Sequence, residues 1–331
     1  MVKILIIRTG RVGDMVMITP ALQAILQSFP DCNITLLTSN EGKRVLADFD
    51  KRVVASIIYD RKKLWAKYQR SKISKQVTAG NFDLIFCFET KKSFSQLFSD
   101  SKAKVYQLAG ISKAIHYAQH CFNLIQSASE HQLSPQWAYL PVAASEIQKA
   151  QNLGIDDIKA DDFIIGMHPS YSGLTKMSWR NKKNRQLRQW PPAYFAQLAQ
   201  LLNKKLKNHK FHIIMDLLPE DQQLGEQINQ LSGGLIKLII GKPNFARYKA
   251  VIARMDLLIT PDTGPMHVAA AVGTKMVAIF SHKSPADCGP YMPADKFATI
   301  KVSKQQVNQL GLAAISPQQV LQASIPFLPE D

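Results

Sequence analysis

The chain has 331 residues, of which 46% are hydrophobic and 20% are charged. This length suits two domains of ordinary size, and the composition excludes an intrinsically disordered protein. The formal net charge of +16 favours anionic partners such as nucleic acid, anionic lipid or a phosphorylated sugar.

The four cysteines lie far apart in the chain and include no C-x-x-C pair. We therefore expect neither a zinc site nor a disulfide framework, and reduced thiols fit a cytosolic protein. No stretch approaches the roughly 20 apolar residues that span a bilayer, and the first residues do not resemble a secretory signal. Any contact with a membrane is expected to be peripheral.

Short apolar runs alternate with helix-like segments through the first half of the chain. Unbroken β-rich runs separated by helices indicate a parallel sheet that is covered on both faces. The pattern from about residue 100 to 135 is too irregular to assign. Strands are predicted at 3–9, 33–39, 53–60 and 82–89, and helices at about 15–28, 41–49, 61–79 and 92–99.

The same alternation begins again in the second half, after a helix-like stretch at 134–154. Strands are predicted at 162–168, 211–215, 235–240, 256–260 and 275–280, and helices at about 192–207, 219–231, 244–254 and from 265. We therefore predict an α/β protein with two doubly wound, Rossmann-like domains, residues 1–155 and 156–331. The last residues predict a helix that could pack back on either domain, the N-terminal one included. Ligands of such sheets bind beyond the carboxyl ends of the strands, so both domains can present loops to one central cleft.

The first motif is VGDMVMITPAL, residues 12–22, which follows the first predicted strand. Asp14 is predicted at the start of a helix, where the helix dipole stabilises a carboxylate. Aspartate is also a common helix cap at such a position. From these residues alone, a helix cap and a catalytic base are equally good interpretations of Asp14.

The second motif is PDTGPMHVAAAVG, residues 261–273, which follows a buried strand. Asp262 or Thr263 is predicted to cap the next helix, with Pro265 in its first turn. The N–H groups of that turn, together with the helix dipole, suit a diphosphate. His267 lies about one turn further on, where its ring could reach the same anion. The alternative is a capped, tightly packed helix without a ligand.

Taken together, the two motifs resemble those of glycosyltransferase family 9, the lipopolysaccharide heptosyltransferases. The resemblance extends, thinly in the middle, over nearly the whole chain. It implies the GT-B architecture of two Rossmann-like domains that face a central cleft. The C-terminal domain would bind the nucleotide sugar and the N-terminal domain the acceptor. Asp14 would then take the proton from the attacking acceptor hydroxyl, with Gly13 beside it as an acceptor-binding residue, and the transfer would invert the anomeric configuration.

The resemblance also extends to the segment 166–195, in which a basic residue shortly before Trp190-Pro191 matches the family's donor-binding position. That residue is Arg188, and Lys176 is the rival because the intervening segment is longer than in the family. Glu220 falls where family members carry an acidic residue that contacts the adenosine ribose; a helix-capping charge is the alternative. The implied donor site comprises Ser170, Lys176, Arg188, Glu220, Asp262, Thr263, Gly264 and His267.

A strongly basic stretch covers residues 60–76 and includes Arg61, Lys62 and Lys63. Lysine and arginine bind phosphates and acidic sugars by charge-assisted hydrogen bonds, so this stretch suits an anionic acceptor. It could equally lie on an anionic inner membrane leaflet. An ordinary solvated helix face is the alternative.

The resemblance implies ADP-heptose as the donor co-substrate and a lipid-linked saccharide of the lipopolysaccharide inner core as the acceptor. We expect no cofactor and no metal, because no D-x-D motif accompanies the donor residues. The expected location is the cytoplasm, on the inner face of the cytoplasmic membrane. Two alternatives are a protein O-heptosyltransferase of the same family and a GT-B nucleotide-sugar epimerase. A nucleic-acid-binding protein would explain the charge but not the two motifs, so we expect no nucleic acid partner.

Overall fold

The computed structural model describes residues 1–59, 66–151, 153–155, 157–170 and 187–330. The chain divides into two compact units, Met1–Pro141 and Val142–Asp331. The second unit therefore begins before the expected boundary at residue 156. The reason is that the helix Ala144–Ala150 packs against the helix Phe245–Arg254 of the second unit.

The first unit is built on a five-stranded sheet in which every pairing is parallel. The order of the strands is β3-β2-β1-β4-β5. The central strand β1 is buried over its last four residues, as a parallel sheet covered on both faces requires. The strands are β1 Val2–Ile7, β2 Cys32–Thr38, β3 Val53–Ile58, β4 Leu84–Cys87 and β5 Lys104–Gln107.

The helices of the first unit are α1 Val12–Val16, α2 Thr19–Ser28, α3 Asn40–Val45, α4 Ala66–Ala79, α5 Lys92–Ser95 and α6 Tyr117–Gln126. The single helix predicted at 15–28 is two helices. Pro20 has no N–H to donate to the carbonyl of Val16, which would be its partner four residues back. The hydroxyl of Thr19 donates to that carbonyl instead, at 2.8 Å. The region 100–135, which the sequence pattern left unassigned, contains β5 and α6.

The second unit is built on a six-stranded parallel sheet in the order β11-β10-β9-β6-β7-β8. Counted from its own first strand, β6, this is the order 3-2-1-4-5-6 of dinucleotide-binding domains. The strand β11 was not predicted, because it is a half-exposed edge strand without a continuous apolar run. The strands are β6 Phe163–Met167, β7 Phe211–Leu217, β8 Ile236–Ile240, β9 Leu257–Pro261, β10 Lys275–Phe280 and β11 Phe297–Lys301.

The helices of the second unit are α7 Ala144–Ala150, α8 Pro192–Lys205, α9 Gln222–Ser232, α10 Phe245–Arg254, α11 Gly264–Val272, α12 Pro285–Cys288, α13 Lys304–Val307 and α14 Pro317–Ser324. The stretch predicted as a helix at 134–154 is helical only over α7. The terminal helix α14 packs on α8 and buries Val320 completely. Next to it, the indole Nε1 of the buried Trp190 donates to the carbonyl of Ile315 at 2.8 Å. The terminal helix therefore belongs to the second unit.

Within the part of the chain that the structure describes, no helix has the length and apolar character needed to cross a membrane.

Candidate active site

The central strands of the first unit, β1 and β4, are hydrogen-bonded neighbours with Ile7 opposite Cys87. The strand order reverses between them, and such a switch point is where open α/β sheets bind ligands. Arg8 and Thr9 follow β1, and Glu89 lies two residues after β4. The turn after β1 leads directly into α1 and brings Asp14 to the same edge of the sheet.

Asp14 is the third residue of α1, and its carboxylate accepts two hydrogen bonds. The backbone N–H of Arg11 donates to Oδ2 at 2.9 Å, and Nη2 of Arg8 donates to Oδ1 at 2.8 Å. Gly10 allows this arrangement, because a Cβ atom at residue 10 would lie 2.6 Å from Oδ2. The Asp14 side chain is still 37% exposed. Asp14 therefore caps the helix and also presents a carboxylate to solvent.

The side chain of Arg8 connects the two sides of the switch point. Its Nη1 lies 3.7 Å from Oε2 of Glu89, and its guanidinium carbon lies 4.5 Å from the centre of the Tyr117 ring. Burial acts to lower the pKa of Arg8, but the nearby Tyr117 and the two carboxylates raise it by more. A permanent cation thus lies beside Asp14. The sequence analysis missed Arg8 and Glu89 because it placed both inside predicted strands; a charged residue at the end of a buried apolar run is the signal that could have found them.

The other predicted acceptor residues are less informative. Gly13 is buried within α1, one residue before Asp14. Arg61, Lys62 and Lys63 lie outside the described residues, as does the predicted donor residue Lys176. For these four basic residues the sequence prediction stands as a prediction.

In the second unit the strand order reverses between β6 and β9, and the N–H of His168 after β6 donates to the carbonyl of Ile259 on β9 at 3.0 Å. The His168 side chain is only partly exposed, and its removal from solvent lowers its pKa to about 4. The ring is therefore neutral near pH 7. The hydroxyl of Ser170 lies 3.2 Å from Nε2 of His168, and Ser170 is itself buried. Ser170 is thus held at the carboxyl end of β6, and its predicted contact with the donor stays a prediction.

The segment after β9 turns into α11, with Gly264 as its first residue. Thr263 occupies the N-cap position, but its side chain makes no capping hydrogen bond. Its hydroxyl donates to the carbonyl of Pro261 at 3.2 Å and lies 3.2 Å from the hydroxyl of Thr260. Thr263, one of the two predicted N-cap residues, therefore holds the N-cap position, but its buried hydroxyl is turned back toward the end of β9 and does not bond the helix N–H groups. His267 is buried in the helix at 7% exposure.

Asp262, just before α11, lies within the electrostatic influence of two cations, Arg188 and Lys283. Burial raises the pKa of Asp262, and the charges of Arg188 and Lys283 act in the opposite direction. Burial lowers the pKa of His282, and the same two cations add to that effect. The structure thus brings Arg188 close to the Asp262-Thr263-Gly264 segment from about 75 residues earlier in the chain. Lys283 and His282 were not singled out from the sequence.

The acidic pair Glu220 and Asp221 lies in a short turn after β7, just before α9. Glu220 is exposed, and its negative charge raises the pKa of Asp221. Burial is the larger cause of the raised pKa of Asp221, and a hydrogen bond with Ser170 opposes it. Asp221 is therefore hydrogen-bonded to Ser170 at the end of β6, and the predicted contact of Glu220 with the donor ribose stays a prediction.

Among the described residues, no three His, Cys, Asp or Glu side chains are grouped so that they could hold a metal ion. Each unit has a group of polar and charged side chains where the strand order of its sheet reverses. The first presents a carboxylate, and the second presents a helix start with nearby cations and fixed hydroxyl groups.

Residues 91–310 match the sequence profile of glycosyltransferase family 9 (heptosyltransferase). The lipopolysaccharide core heptosyltransferase OpsX of Haemophilus influenzae is 24% identical over 310 residues, which cover 89% of this chain and 83% of that protein.

Two solved structures have the same fold. The glycosyl transferase family 9 protein from Veillonella parvula superposes with a TM-score of 0.79 at 18% identity, covering 98% of this chain and 96% of that one. The heptosyltransferase WaaC of E. coli with ADP superposes with a TM-score of 0.70 at 17% identity, covering 98% and 100%. The predicted pair of Rossmann-like domains is confirmed.

Proposed function

Because the chain belongs to glycosyltransferase family 9, we propose that it is an inverting enzyme that moves a heptose from ADP-heptose to the inner core of lipopolysaccharide. The observation that carries this proposal is the similarity to a lipopolysaccharide core heptosyltransferase over most of both chains. The bound ADP of the E. coli neighbour supports an adenosine diphosphate-linked donor.

The second unit binds the donor. The diphosphate lies at the start of α11, where backbone N–H groups and the positive end of the helix dipole favour an anion. Arg188 and Lys283, which both act on Asp262, place cationic charge at the same end of the helix. His267 and the fixed hydroxyl of Ser170 add hydrogen-bonding groups. Negative charge that develops on the leaving diphosphate is stabilised by these groups, without a metal ion or another cofactor.

The first unit activates the acceptor. The acceptor oxygen attacks the anomeric carbon from the face opposite the diphosphate, so the new C–O bond forms as the bond to the diphosphate oxygen breaks. The proton of the attacking hydroxyl passes to Asp14. The exposed carboxylate of Asp14 is accessible to such a hydroxyl, and its two hydrogen bonds hold it in one orientation.

The acceptor is an anionic, lipid-linked saccharide. The basic stretch with Arg61, Lys62 and Lys63 would meet its phosphates and acidic sugars, or the anionic surface in which its lipid is embedded. The enzyme would then work in the cytoplasm, in peripheral contact with the inner membrane.

The alternatives are a protein acceptor or an epimerisation of the nucleotide sugar. They are not favoured, since the curated relatives are named for heptose transfer in lipopolysaccharide or lipooligosaccharide synthesis.

The test is an incubation of the purified protein with ADP-heptose and lipopolysaccharide from a strain whose inner core lacks heptose. Mass spectrometry should show one added heptose on the lipopolysaccharide, with release of one ADP per transfer. Conversion of the nucleotide sugar without any acceptor would instead support an epimerase. A heptose found on a protein side chain, with the lipopolysaccharide unchanged, would support the second alternative.

A further inference from the structure

Arg8 lies between two carboxylates that come from different elements. Its Nη2 is 2.8 Å from Oδ1 of Asp14, and its Nη1 is 3.7 Å from Oε2 of Glu89. The two carboxylates differ in their access to solvent, with side chains 37% exposed for Asp14 and 7% for Glu89. Only Asp14 of this pair is therefore accessible to an acceptor.

The carboxylate of Glu89 is fixed in place by Thr9. Its Oε1 accepts hydrogen bonds from the backbone N–H of Thr9 at 2.9 Å and from the Thr9 hydroxyl at 2.8 Å. A buried charge is stable only when it is paired and hydrogen-bonded, and Thr9 and Arg8 meet both conditions for Glu89. Glu89 is thus a fixed negative charge behind Arg8.

We propose that Glu89 is a positioning residue that holds Arg8 against Asp14 and offsets part of the Arg8 charge. It thereby sets the pH at which Asp14 can accept the proton of the acceptor hydroxyl. This inference rests on the proposed role of Asp14 as the base. A guanidinium paired with Asp14 alone would stabilise the carboxylate strongly and make it a weaker base.

The same arrangement matters after the proton has moved. A protonated Asp14 no longer balances the charge of Arg8, which is only 12% exposed. An unpaired buried cation is costly, and Glu89 remains as its partner. The Glu89 carboxylate thus lowers the cost of the state in which Asp14 holds the proton.

Other ionisable groups surround this site and stay unchanged in the variants below. The helix α3, which packs on α1, carries Glu41, Lys43 and Arg44, and Arg11 is at the start of α1. Burial raises the pKa of Tyr117 and Cys121 on α6, that of Cys121 to about 12, so both are neutral near pH 7. Differences between variants therefore report the removed charge.

The experiment is the pH dependence of kcat/KM for a heptose-deficient lipopolysaccharide acceptor, measured with saturating ADP-heptose. Glu89→Gln keeps an oxygen for Thr9 but removes the charge, so the acidic limb should move to lower pH by about one unit. Arg8→Met should move it to higher pH by about one unit. Asp100→Asn, which removes an exposed carboxylate of the same unit, should leave it unchanged. The affinity for ADP should be unchanged in all three variants.

An acidic limb of Glu89→Gln that coincides with the wild type, or moves in the same direction as that of Arg8→Met, overturns the proposal. If circular dichroism shows that Glu89→Gln does not fold, the test rests on Arg8→Met. An acidic limb of the Arg8→Met profile that coincides with the wild type then overturns the proposal. The variant Asp14→Asn tests the role of Asp14 as the base separately from the role of Glu89. Full activity of Asp14→Asn contradicts the base assignment itself, whereas an inactive Asp14→Asn with an unmoved Glu89→Gln profile contradicts only the role of Glu89.

Discussion

The hydroxyl oxygen of Ser170 lies 3.2 Å from Nε2 of His168, directly after the first strand of the second unit. Because burial lowers the pKa of His168 to about 4, the pair is polar but uncharged near pH 7. Ser170 has one hydroxyl proton, which goes to the Asp221 carboxyl, so the ring N–H of His168 donates to the Ser170 oxygen. The neutral His168 ring thus orients Ser170 beside the proposed diphosphate site without adding a charge of its own.

The lowered pKa of His168 predicts that the free energy of unfolding depends on pH. The unfolded chain binds a proton at histidine below about pH 6.5, whereas folded His168 resists protonation until about pH 4. Stability from this residue is therefore fully present above pH 6.5 and is lost as the pH falls through that window, by up to about 3 kcal/mol. Urea unfolding of wild type and His168→Gln across the window should show a smaller pH dependence in the variant. Equal slopes would assign the effect to other groups.

Replacement of Asp14 should separate chemistry from donor binding. We expect Asp14→Ala to lose at least ~100-fold in turnover, which is the usual minimum for general-base catalysis. The variant should also lose about 1 kcal/mol of stability, because Asp14 accepts the N–H of Arg11 at the start of α1. The affinity for ADP should be unchanged, as measured by calorimetry. Near-normal turnover in the folded variant would reduce Asp14 to a helix cap.

The neighbours Glu220 and Asp221 form a matched pair for the donor site. Asp221 hydrogen-bonds Ser170, while Glu220 is exposed. We expect Asp221→Ala to weaken ADP binding by about tenfold, because Ser170 loses one hydrogen bond to a charged group. Glu220→Ala should change it by less, and titration calorimetry measures both. A loss confined to Glu220→Ala would instead support the ribose contact that the family resemblance implies for Glu220.

Removal of divalent ions should leave the transfer rate unchanged. The proposed donor site relies on helix N–H groups and on the cations of Arg188 and Lys283 to stabilise the leaving diphosphate. Initial rates after EDTA treatment, with and without added magnesium or manganese, measure this directly. A rate that falls to background and returns with one of these ions would contradict the proposal. Arg188→Met provides the matched variant, since it should lower the rate in the presence of either ion.

Much of the fold follows from local patterns in the sequence. Buried runs such as Leu257–Pro261 are continuous, so they predict strands whatever their neighbours are. The division of the first long helix was also predictable in principle, because Pro20 removes a helix hydrogen bond. The edge strand Phe297–Lys301 and the helix Tyr117–Gln126 were missed. The strand depends on pairing with Lys275–Phe280 and the helix on packing against Thr19–Ser28, and no short window of the sequence contains either partner.

The candidate site shows the same division between local and long-range information. Asp14 and the Asp262-Thr263-Gly264 segment are parts of short motifs and could be named from the sequence. Glu89 meets Thr9 across 80 residues, and this contact exists only because β1 and β4 are adjacent in the sheet. The choice between Glu220 and Asp221 depends on which side chain turns inward, and the sequence pattern of an acidic pair does not determine that.

Arg188 sits between two attachment points within the second unit. The carbonyl of Leu187 accepts a hydrogen bond from the hydroxyl of Ser281, and the indole of Trp190 donates to Ile315. Both anchors are far from Arg188 in the chain, so the backbone that carries this cation is held by the end of β10 and by the segment before α14. Ser281→Ala or Trp190→Phe should therefore weaken ADP binding by displacing Arg188. The donor site thus depends on two hydrogen bonds whose side chains serve as scaffolding for a cation.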